Sequence, residues 1–520
     1  MNADVGVGGR GEATAPARAG GREWLALVVL ALPTMLISMD LTILNLAVPH
    51  LSADLQPSSS QLLWIVDIYG FLVAGFLLTM GTLGDRIGRR KLLLVGAAAF
   101  ALASLLAATA DSAEMLIVAR AVLGIAGATL MPSTLSLIRN MFHDAGQRTF
   151  AIGIWTTSFS IGGIIGPLVG GAMLEHFWWG SVFLLGVPAM ALLLILGPLL
   201  LPEFRSPQAG DYDLPSAVMS LLTVLAIIYG VKHIAESGVD WLSALSIAVG
   251  LVLGTVFVRR QGHLEHPLID LTLFRSPAFT TSLATNIFGF FVMFGTFLMT
   301  AQYLQLVLGL SPLMAGLWSV PSSLGFTVGS MLTSFLAKHM RPAFAMAGGA
   351  TLAALGFLLL TQTGATGGLA TLVTASVIWS VGLAPVYILA TDLIVTAAPA
   401  ERAGAASAIS ETATELGGAL GIAIIGSIAT AVYRSLMANV VSTGVPADIA
   451  SVARSTLGGA LAAAEQLPLQ AGGQMLTAAR AAFTQGMIIS AAMAAAAMVT
   501  IALMILTWLR HIRPSASGAH

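Results

Sequence analysis

Long apolar runs, separated by short polar connections, recur along nearly the whole chain. A helix needs about 20 apolar residues to cross a bilayer, and fourteen runs reach roughly that length. The predicted helices begin near Trp24, Gln61, Leu92, Met115, Phe150, Val182, Leu214, Trp241, Phe279, Leu313, Ala343, Leu369, Gly404 and Phe483. The runs fall into sets of six, two and six. We therefore expect an all-α integral membrane protein of two six-helix bundles with two additional helices inserted between them.

The composition agrees with a membrane protein and excludes several other classes. Hydrophobic residues make up 57% of the chain, charged residues only 9%, and the mean hydropathy is +0.90. The net charge of -1 argues against a nucleic-acid partner, because binding phosphates requires a concentrated basic surface. The chain has no cysteine, which excludes disulfides and thiolate metal sites.

The distribution of cationic residues predicts which connections face the cytoplasm, since cytoplasmic loops are enriched in Lys and Arg. With both termini assigned to the cytoplasm, alternating connections collect almost all of the 23 Lys and Arg residues on that side. Only Lys232, Arg434, Arg454 and Arg480 fall outside, and Arg120 lies within the fourth run. This asymmetry supports the number of spans, because a missed span would reverse every later loop.

These patterns divide the chain into segments. We expect a flexible cytoplasmic tail over 1–22, a first bundle over 23–203, two additional helices over 204–262, a second bundle over 263–511 and a cytoplasmic tail over 512–520. The second bundle contains one long extracellular loop, 433–482. Within it, residues 449–466 are interpreted either as short amphipathic helices on the outer face or as a disordered loop.

Asp40 lies in the middle of the first apolar run, with no other charge in that run. A charged carboxylate at the bilayer centre costs roughly 2.5 to 3.5 kcal/mol on insertion scales. Such an acid normally faces a cavity, binds a cation or exchanges a proton. Asp40 is therefore a candidate site for proton coupling or cation binding, and the chain is a candidate transporter.

Two further acids, Glu411 and Glu415, are spaced i, i+4 in the thirteenth run, which places both carboxylates on one helical face. Two like charges in a low-dielectric region repel, so the pair is suited to exchanging protons or binding a cation. The alternative is a pair near the helix start that faces solvent. Asp67, in the second run, is either a proton or cation site in an outer vestibule or an interfacial hydrogen-bonded acid.

Arg120 is a cation within the fourth run, and a guanidinium in a membrane must find carboxylates or carbonyls. One interpretation is that it tunes the proton affinity of a nearby acid. The other is that its side chain extends outward to the membrane surface, because it lies near the outer end of its helix. The segment 120–127, RAVLGIAG, is similar to the fourth-helix motif of drug antiporters, although Leu123 replaces the usual glutamine.

The connection after the second helix, residues 81–91, reads GTLGDRIGRRK. Its glycines permit a tight turn, and its acid suits the positive N-terminal end of another helix. The segment resembles the loop signature of the major facilitator superfamily at nearly every specified position. That resemblance implies a cytoplasmic gate formed by Gly81, Asp85, Arg86, Gly88 and Arg89, with Asp85 approaching the start of helix thirteen.

The fifth helix carries small residues at a spacing that lets helices approach closely, together with a proline that permits a bend. The pattern resembles the antiporter signature that distinguishes exporters from uptake carriers in this superfamily. It comprises Gly153, Gly162, Gly166, Pro167, Gly170 and Gly171.

Residues 39–49, MDLTILNLAVP, resemble the first-helix motif of the fourteen-span drug:proton antiporters. Segments 63–69 and 404–418 are most similar to Qac-type exporters of quaternary ammonium and other drugs. The resemblance covers essentially the whole chain and implies the twelve-helix facilitator fold with two extra helices. One departure is that residues 321–326 of helix ten carry no acid, which argues against a preference for bulky divalent cations.

The function implied is proton-coupled efflux of lipophilic cations, such as quaternary ammonium compounds, dyes and biguanide-type antiseptics, across the bacterial inner membrane. The coupling ion is the proton, and no other cofactor and no metal is expected. The partners are small amphipathic cations and the lipid bilayer, and the protein is expected to be a monomer and not an enzyme. The alternative is a proton-coupled exporter of a neutral or anionic antibiotic or metabolite made by the host.

Overall fold

The computed structural model describes residues 19–205, 213–264, 267, 269–398, 403–440 and 446–511. Within these ranges the chain forms sixteen α-helices. They are α1 Gly21–Leu55, α2 Ser59–Ile87, α3 Arg89–Ala108, α4 Ala113–Met141, α5 Ala145–His176, α6 Gly186–Leu200, α7 Leu214–Ser237, α8 Trp241–Gln261, α9 Pro277–Gln302, α10 Pro312–His339, α11 Pro342–Leu360, α12 Leu369–Thr396, α13 Ala403–Val440, α14 Ala447–Ser455, α15 Leu457–Glu465 and α16 Leu469–Trp508. Fourteen of them, all except α14 and α15, are long and apolar enough to cross a membrane, which confirms the predicted all-α membrane fold.

Many helices begin where the sequence supplies a cap. Ser or Asp side chains at the residue before the helix accept a hydrogen bond from the backbone N–H of the first turn, which satisfies donors that the helix leaves free. This occurs at Ser58, Ser112, Asp144, Asp213, Asp240, Ser276 and Ser311. Five of these seven helices begin one to five residues before the predicted start, and α7 and α8 begin at it.

Two helical bundles form the body of the protein. Helices α1–α6 pack on one another, as do α9–α13 with α16, and the two sets meet where α2 contacts α13 and α5 contacts α10. The start of α1 and the end of α16 share one face of the molecule, here called the tail face. The opposite face carries α14 and α15 and is called the hairpin face.

Contacts between the bundles are close on the side of the hairpin face. A Cβ added to Gly316 of α10 would lie 2.3 Å from the carbonyl oxygen of Pro167, and one added to Gly171 of α5 would lie 2.7 Å from that of Pro312. Gln305 Nε2 donates to the Leu46 carbonyl of α1 at 3.0 Å, from a π-helical turn that follows α9. These contacts hold α5 against α10 and α9 against α1.

The inserted helices α7 and α8 pack on each other, and α7 also contacts α2 and α13. At the tail face, Arg260 Nη2 donates to Asp213 Oδ1 at 2.9 Å, and Gln261 Nε2 donates to Ser216 Oγ at 2.8 Å. Burial alone would raise the pKa of Asp213, but hydrogen bonds from Arg260 and Ser216 outweigh it and hold that pKa below its usual value. The carboxylate therefore ties the ends of α7 and α8 together.

The segment predicted as a long loop over 433–482 is mostly helical. Helix α13 continues to Val440, and α16 begins at Leu469 rather than near Phe483, because both helices extend beyond their apolar windows. Between them, α14 and α15 form a helical pair, and the Tyr433 hydroxyl donates to the Ala453 carbonyl at 2.8 Å. Much of the predicted tails, 1–18 and 512–520, lies outside the described residues.

Candidate functional site

Asp40 and Arg120 form a buried ion pair between α1 and α4. Arg120 Nη1 lies 2.6 Å from Asp40 Oδ2; the arginine side chain is 1% exposed and that of the aspartate 16% exposed. The guanidinium also donates to the carbonyl oxygens of Ile65 at 3.1 Å and Val66 at 3.4 Å. The side chain thus points to Asp40 and α2 and does not extend to the membrane surface.

Tyr69 lies beneath this ion pair. The Arg120 guanidinium sits 4.7 Å from the centre of the Tyr69 ring, within range of a cation–π interaction. Glycines on α4 make room for it, because a Cβ at Gly124 would lie 2.6 Å from the Tyr69 carbonyl oxygen, and one at Gly127 would lie 3.0 Å from its hydroxyl. The glycines of the 120–127 segment therefore let α4 approach α2 at the level of the pair.

The glycine stripe of α5 fixes the position of α1 around Asp40. A Cβ at Gly162 would lie 2.3 Å from the Met35 carbonyl oxygen, one at Gly166 2.4 Å from Thr42 Oγ1, and one at Gly170 2.6 Å from Ile43. Small residues permit this approach of two backbones. Gly171 and Pro167 instead contact α10, and Gly153 faces open space. The stripe thus serves both packing within the first bundle and the contact between bundles.

Glu411 and Glu415 are half-buried on α13 and face an aromatic cluster. Tyr387 of α12 is within electrostatic range of both carboxylates. Phe290 packs edge-on against Tyr387, with ring centres 4.7 Å apart, and stacks with Phe294 at 5.9 Å. Among the ion pairs of the described residues, none involves either glutamate.

The two groups of acids approach each other across the seam between the bundles. Tyr69, on α2, is within electrostatic range of both Asp40 and Glu415. The contact of α2 with α13, where Gly70 lies beside Ala419, brings them together. Tyr69 therefore links the Asp40–Arg120 pair of the first bundle electrostatically to Glu415 of the second, and these residues form a polar region at the seam.

Asp40 also borders a small cavity within the first bundle. The cavity measures about 20 Å³ and is lined on its other sides by residues that include Phe100, Ser104 and Phe183. A space of that size holds about one water molecule. The carboxylate thus has a charged partner on one side and room for a polar molecule on another.

Asp67 and the residues of the predicted gate lie at opposite ends of α2. Asp67 is 1% exposed, so its side chain is buried among the helices. At the tail face Asp85 pairs with Arg89 at 2.6 Å, and Gly88 adopts a left-handed φ of 114° between α2 and α3. This positive φ favours glycine, and a Cβ there would also lie 2.4 Å from the Glu203 carboxylate, whose flexible side chain would have to move.

The other gate residues border this turn. Gly81 faces Pro132 of α4, and Arg86 is exposed. Arg89 is buried, and its backbone N–H donates to the Phe204 carbonyl at 2.9 Å.

The structure adds residues to the site that the sequence patterns did not identify. Tyr69 entered only as the last residue of the segment 63–69, and Tyr387 and Phe290 were not singled out. Asn286, buried on α9, contacts hydroxyls next to the glutamate pair. A polar residue within an apolar run was the available signal for Asn286. Aromatic residues are too common in membrane helices to give a comparable signal.

Comparisons with known proteins agree with this architecture. The family model described as Major Facilitator Superfamily matches residues 30–422. The chain is 45% identical to the multidrug efflux pump LfrA of Mycolicibacterium smegmatis, over 91% of this chain and 94% of that protein. It is 37% identical to the methyl viologen resistance protein SmvA of Salmonella typhimurium, over 89% and 93%.

Among solved structures, the fold is similar to that of a bacterial homologue of the human lysosomal transporter Spinster. The TM-score is 0.65 at 17% identity, with 96% of this chain and 100% of that chain covered. This likeness concerns the fold alone. With the matched family model and the two sequence relatives, it shows that the chain belongs to the major facilitator superfamily.

Proposed function

We propose that this protein is a proton-coupled multidrug efflux antiporter that exports lipophilic cations across the bacterial inner membrane. The observation that carries the proposal is the polar region of Asp40, Arg120, Tyr69, Glu411 and Glu415 at the seam between the two bundles. Buried acids at a bundle interface suit a carrier that binds protons and cations in turn. The relatives named as a multidrug efflux pump and a methyl viologen resistance protein support the same substrate class.

The two parts of the site have different roles. Asp40 is neutralised by Arg120, so it orients the site and contributes little net charge. Glu411 and Glu415, when deprotonated, attract an organic cation, and the rings of Phe290, Phe294 and Tyr387 offer it flat surfaces for cation–π contact. Protonation of the glutamates from outside removes the charge and releases the cation.

Alternating access follows from rocking of the two bundles about this site. The contacts of α5 with α10 and of α9 with α1 would break when the outer side opens. The turn at Asp85, Arg86, Gly88 and Arg89 would then close the inner side, with Asp85 at the positive N-terminal end of α13. In this scheme the tail face is cytoplasmic and the hairpin face is outside.

The test is transport by purified protein in liposomes, with an imposed pH gradient and ethidium as the cation. The wild type should accumulate ethidium only when the gradient is present. Glu411→Gln and Glu415→Gln should each slow it by about tenfold or more, equivalent to about 1.4 kcal/mol of barrier. Glu465→Gln, at an exposed position on α15, is the matched control and should transport normally.

Two results would refute the proposal. One is ethidium transport that is indifferent to the pH gradient. The other is gradient-driven transport of a neutral or anionic compound with no transport of ethidium, which would support the alternative substrate class.

A further inference from the structure

A buried polar cluster lies where α9, α12 and α13 meet, on the tail side of Glu415. Asn286 is 1% exposed, and its Nδ2 lies 3.1 Å from Ser410 Oγ, 3.4 Å from Thr391 Oγ1 and 3.5 Å from Thr414 Oγ1. The Thr414 hydroxyl already donates to the Ser410 carbonyl at 3.0 Å, so its oxygen can only accept from Asn286. This arrangement directs the NH₂ group to hydroxyls of α12 and α13 and leaves the carbonyl oxygen without a donor among the described residues.

Three buried oxygens on this part of α9 have no protein partner among the described residues. They are Asn286 Oδ1, Ser282 Oγ and Thr281 Oγ1, here called the α9 polar column. Asn286 and Ser282 are four residues apart and so lie on one face of the helix, and Thr281 adjoins Ser282 toward the start of α9 at Pro277. Buried polar atoms nearly always have hydrogen-bond partners, and water supplies them where protein does not.

The column connects to the glutamates through its neighbours. Ser410 and Thr414 immediately precede Glu411 and Glu415 on α13. On α12, Thr391 hydrogen-bonds Tyr387, which is within electrostatic range of both glutamates. The hydroxyls that contact Asn286 therefore lie beside the glutamates along α13 and, on α12, next to a tyrosine within electrostatic range of them. The column continues from Asn286 toward the tail face.

We propose that the α9 polar column is the path by which protons leave the glutamate pair on the tail side. This inference rests on the proposed antiport function and adds a positioning residue to it. Asn286 Oδ1 would hold a water molecule that accepts the proton of the protonated glutamate, and the hydroxyls of Ser282 and Thr281 would hold the next waters. The proton leaves as hydronium to the tail-side solution, and the glutamate remains as the carboxylate that attracts the cation. Among the described residues, Asp392 is exposed at the tail end of α12, and Asp270 and Arg275 lie just before the start of α9, so these titratable groups are also near this path.

The experiment separates proton release from cation binding. Wild type and Asn286→Leu are reconstituted in liposomes that contain a pH-sensitive dye, and proton movement is followed after ethidium is added. Ethidium affinity is measured separately by fluorescence. The affinity of Asn286→Leu for ethidium should lie within about twofold of that of the wild type. Its rate of proton release should be lower by about tenfold or more, which is less than the rate enhancement of about 100-fold to 10,000-fold that a positioned proton-transfer group usually gives. Asn286→Ser, which keeps an oxygen and room for water, should restore most of the rate.

Thr296→Val is the matched control. Thr296 is also buried on α9, and its hydroxyl oxygen also lacks a protein partner among the described residues, but it lies about 15 Å along the helix from Asn286, toward the hairpin face. This variant should release protons at the wild-type rate. Proton release by Asn286→Leu at the wild-type rate, or equal slowing in Thr296→Val, would overturn the path.

Failure of the proposed antiport function can be distinguished from failure of the proposed proton path, because the wild type itself would then move no protons when ethidium is added. If Asn286→Leu does not fold, Ser282→Ala decides the question in the same way. Loss of the Ser282 hydroxyl should slow proton release and leave the affinity for ethidium intact. An unchanged rate of proton release would refute the path.

Discussion

The ion pair of Asp40 and Arg120 makes a quantitative prediction about stability. Arg120 is almost completely buried, and removing one partner of a buried pair typically costs about 3–5 kcal/mol, because the other charge stays unpaired. The carbonyls of Ile65 and Val66 and the ring of Tyr69 remain near Arg120, and Asp40 retains some exposure. We therefore expect the lower end, about 3 kcal/mol, for Asp40→Asn and for Arg120→Met.

The double variant Asp40→Asn/Arg120→Met distinguishes pairing from simple packing. If the cost of each single change is an unpaired charge, the double variant leaves no charge unpaired and should lose clearly less than about 3 kcal/mol, against about 6 for additive losses, which is a coupling energy of more than about 3 kcal/mol. The measurement is unfolding in mixed detergent micelles of increasing SDS content, followed by tryptophan fluorescence. All three variants should fail to transport ethidium, since the double change restores stability without restoring the site.

Additive losses in the double variant would refute this reasoning. They would mean that Asp40 and Arg120 contribute independently, through packing or through other partners. Retained transport in Asp40→Asn would separately show that the carboxylate is not needed in the transport cycle.

Three further predictions address packing, pH dependence and topology. Gly162→Ala should cost about 1–3 kcal/mol by forcing α5 away from Met35, whereas Gly153→Ala, with no described atom within 4 Å, should be neutral or slightly stabilising; equal effects in SDS unfolding would contradict the packing account. The pKa of Asp213 is held below its usual value of 3.8, so the stability that Asp213 contributes is present above pH 3.8 and is lost as the pH falls through the lower pKa of the folded state. The difference in thermal stability between the wild type and Asp213→Asn should therefore shrink below pH 3.8. A constant difference would argue against the Arg260 contact. In this cysteine-free chain, Gln466→Cys should react with an impermeant maleimide on intact cells and Arg510→Cys only after permeabilisation, and the reverse pattern would overturn the sidedness predicted from charge.

The number and approximate starts of the membrane helices were predictable because each depends on local composition. Helix α12 begins at Leu369, as its apolar run indicates, and α13 begins at Ala403, one residue before the predicted start. Helix α16 begins earlier than predicted, because residues between Leu469 and Phe483 are helical without being apolar enough for a membrane window. Hydropathy detects the part of a helix that lies in lipid, whereas hydrogen bonding along the backbone continues past it.

The site was predictable as a set of acids but not as an arrangement. Charges in apolar runs identified Asp40, Arg120, Glu411 and Glu415 one by one. Their pairing joins residues far apart in the chain, and helical periodicity fixes only which residues share a face of one helix. The sequence left two interpretations of Arg120, and packing of α4 on α2 through Gly124 and Gly127 determines where its side chain points.

The position of α7 makes the two seams between the bundles different in composition. On one seam, Leu221 of α7 reaches into the gap at Gly75 of α2, and Ile228 packs with Phe71 and Ala419, so one helix touches both bundles. On the other seam, α5 and α10 meet directly through glycine contacts. In the proposed rocking motion, α7 would have to shift against α2, α13 or both, whereas the seam of α5 and α10 would open without an intervening helix. The inserted helices would thereby make the two sides of an otherwise similar pair of bundles respond differently to the same motion.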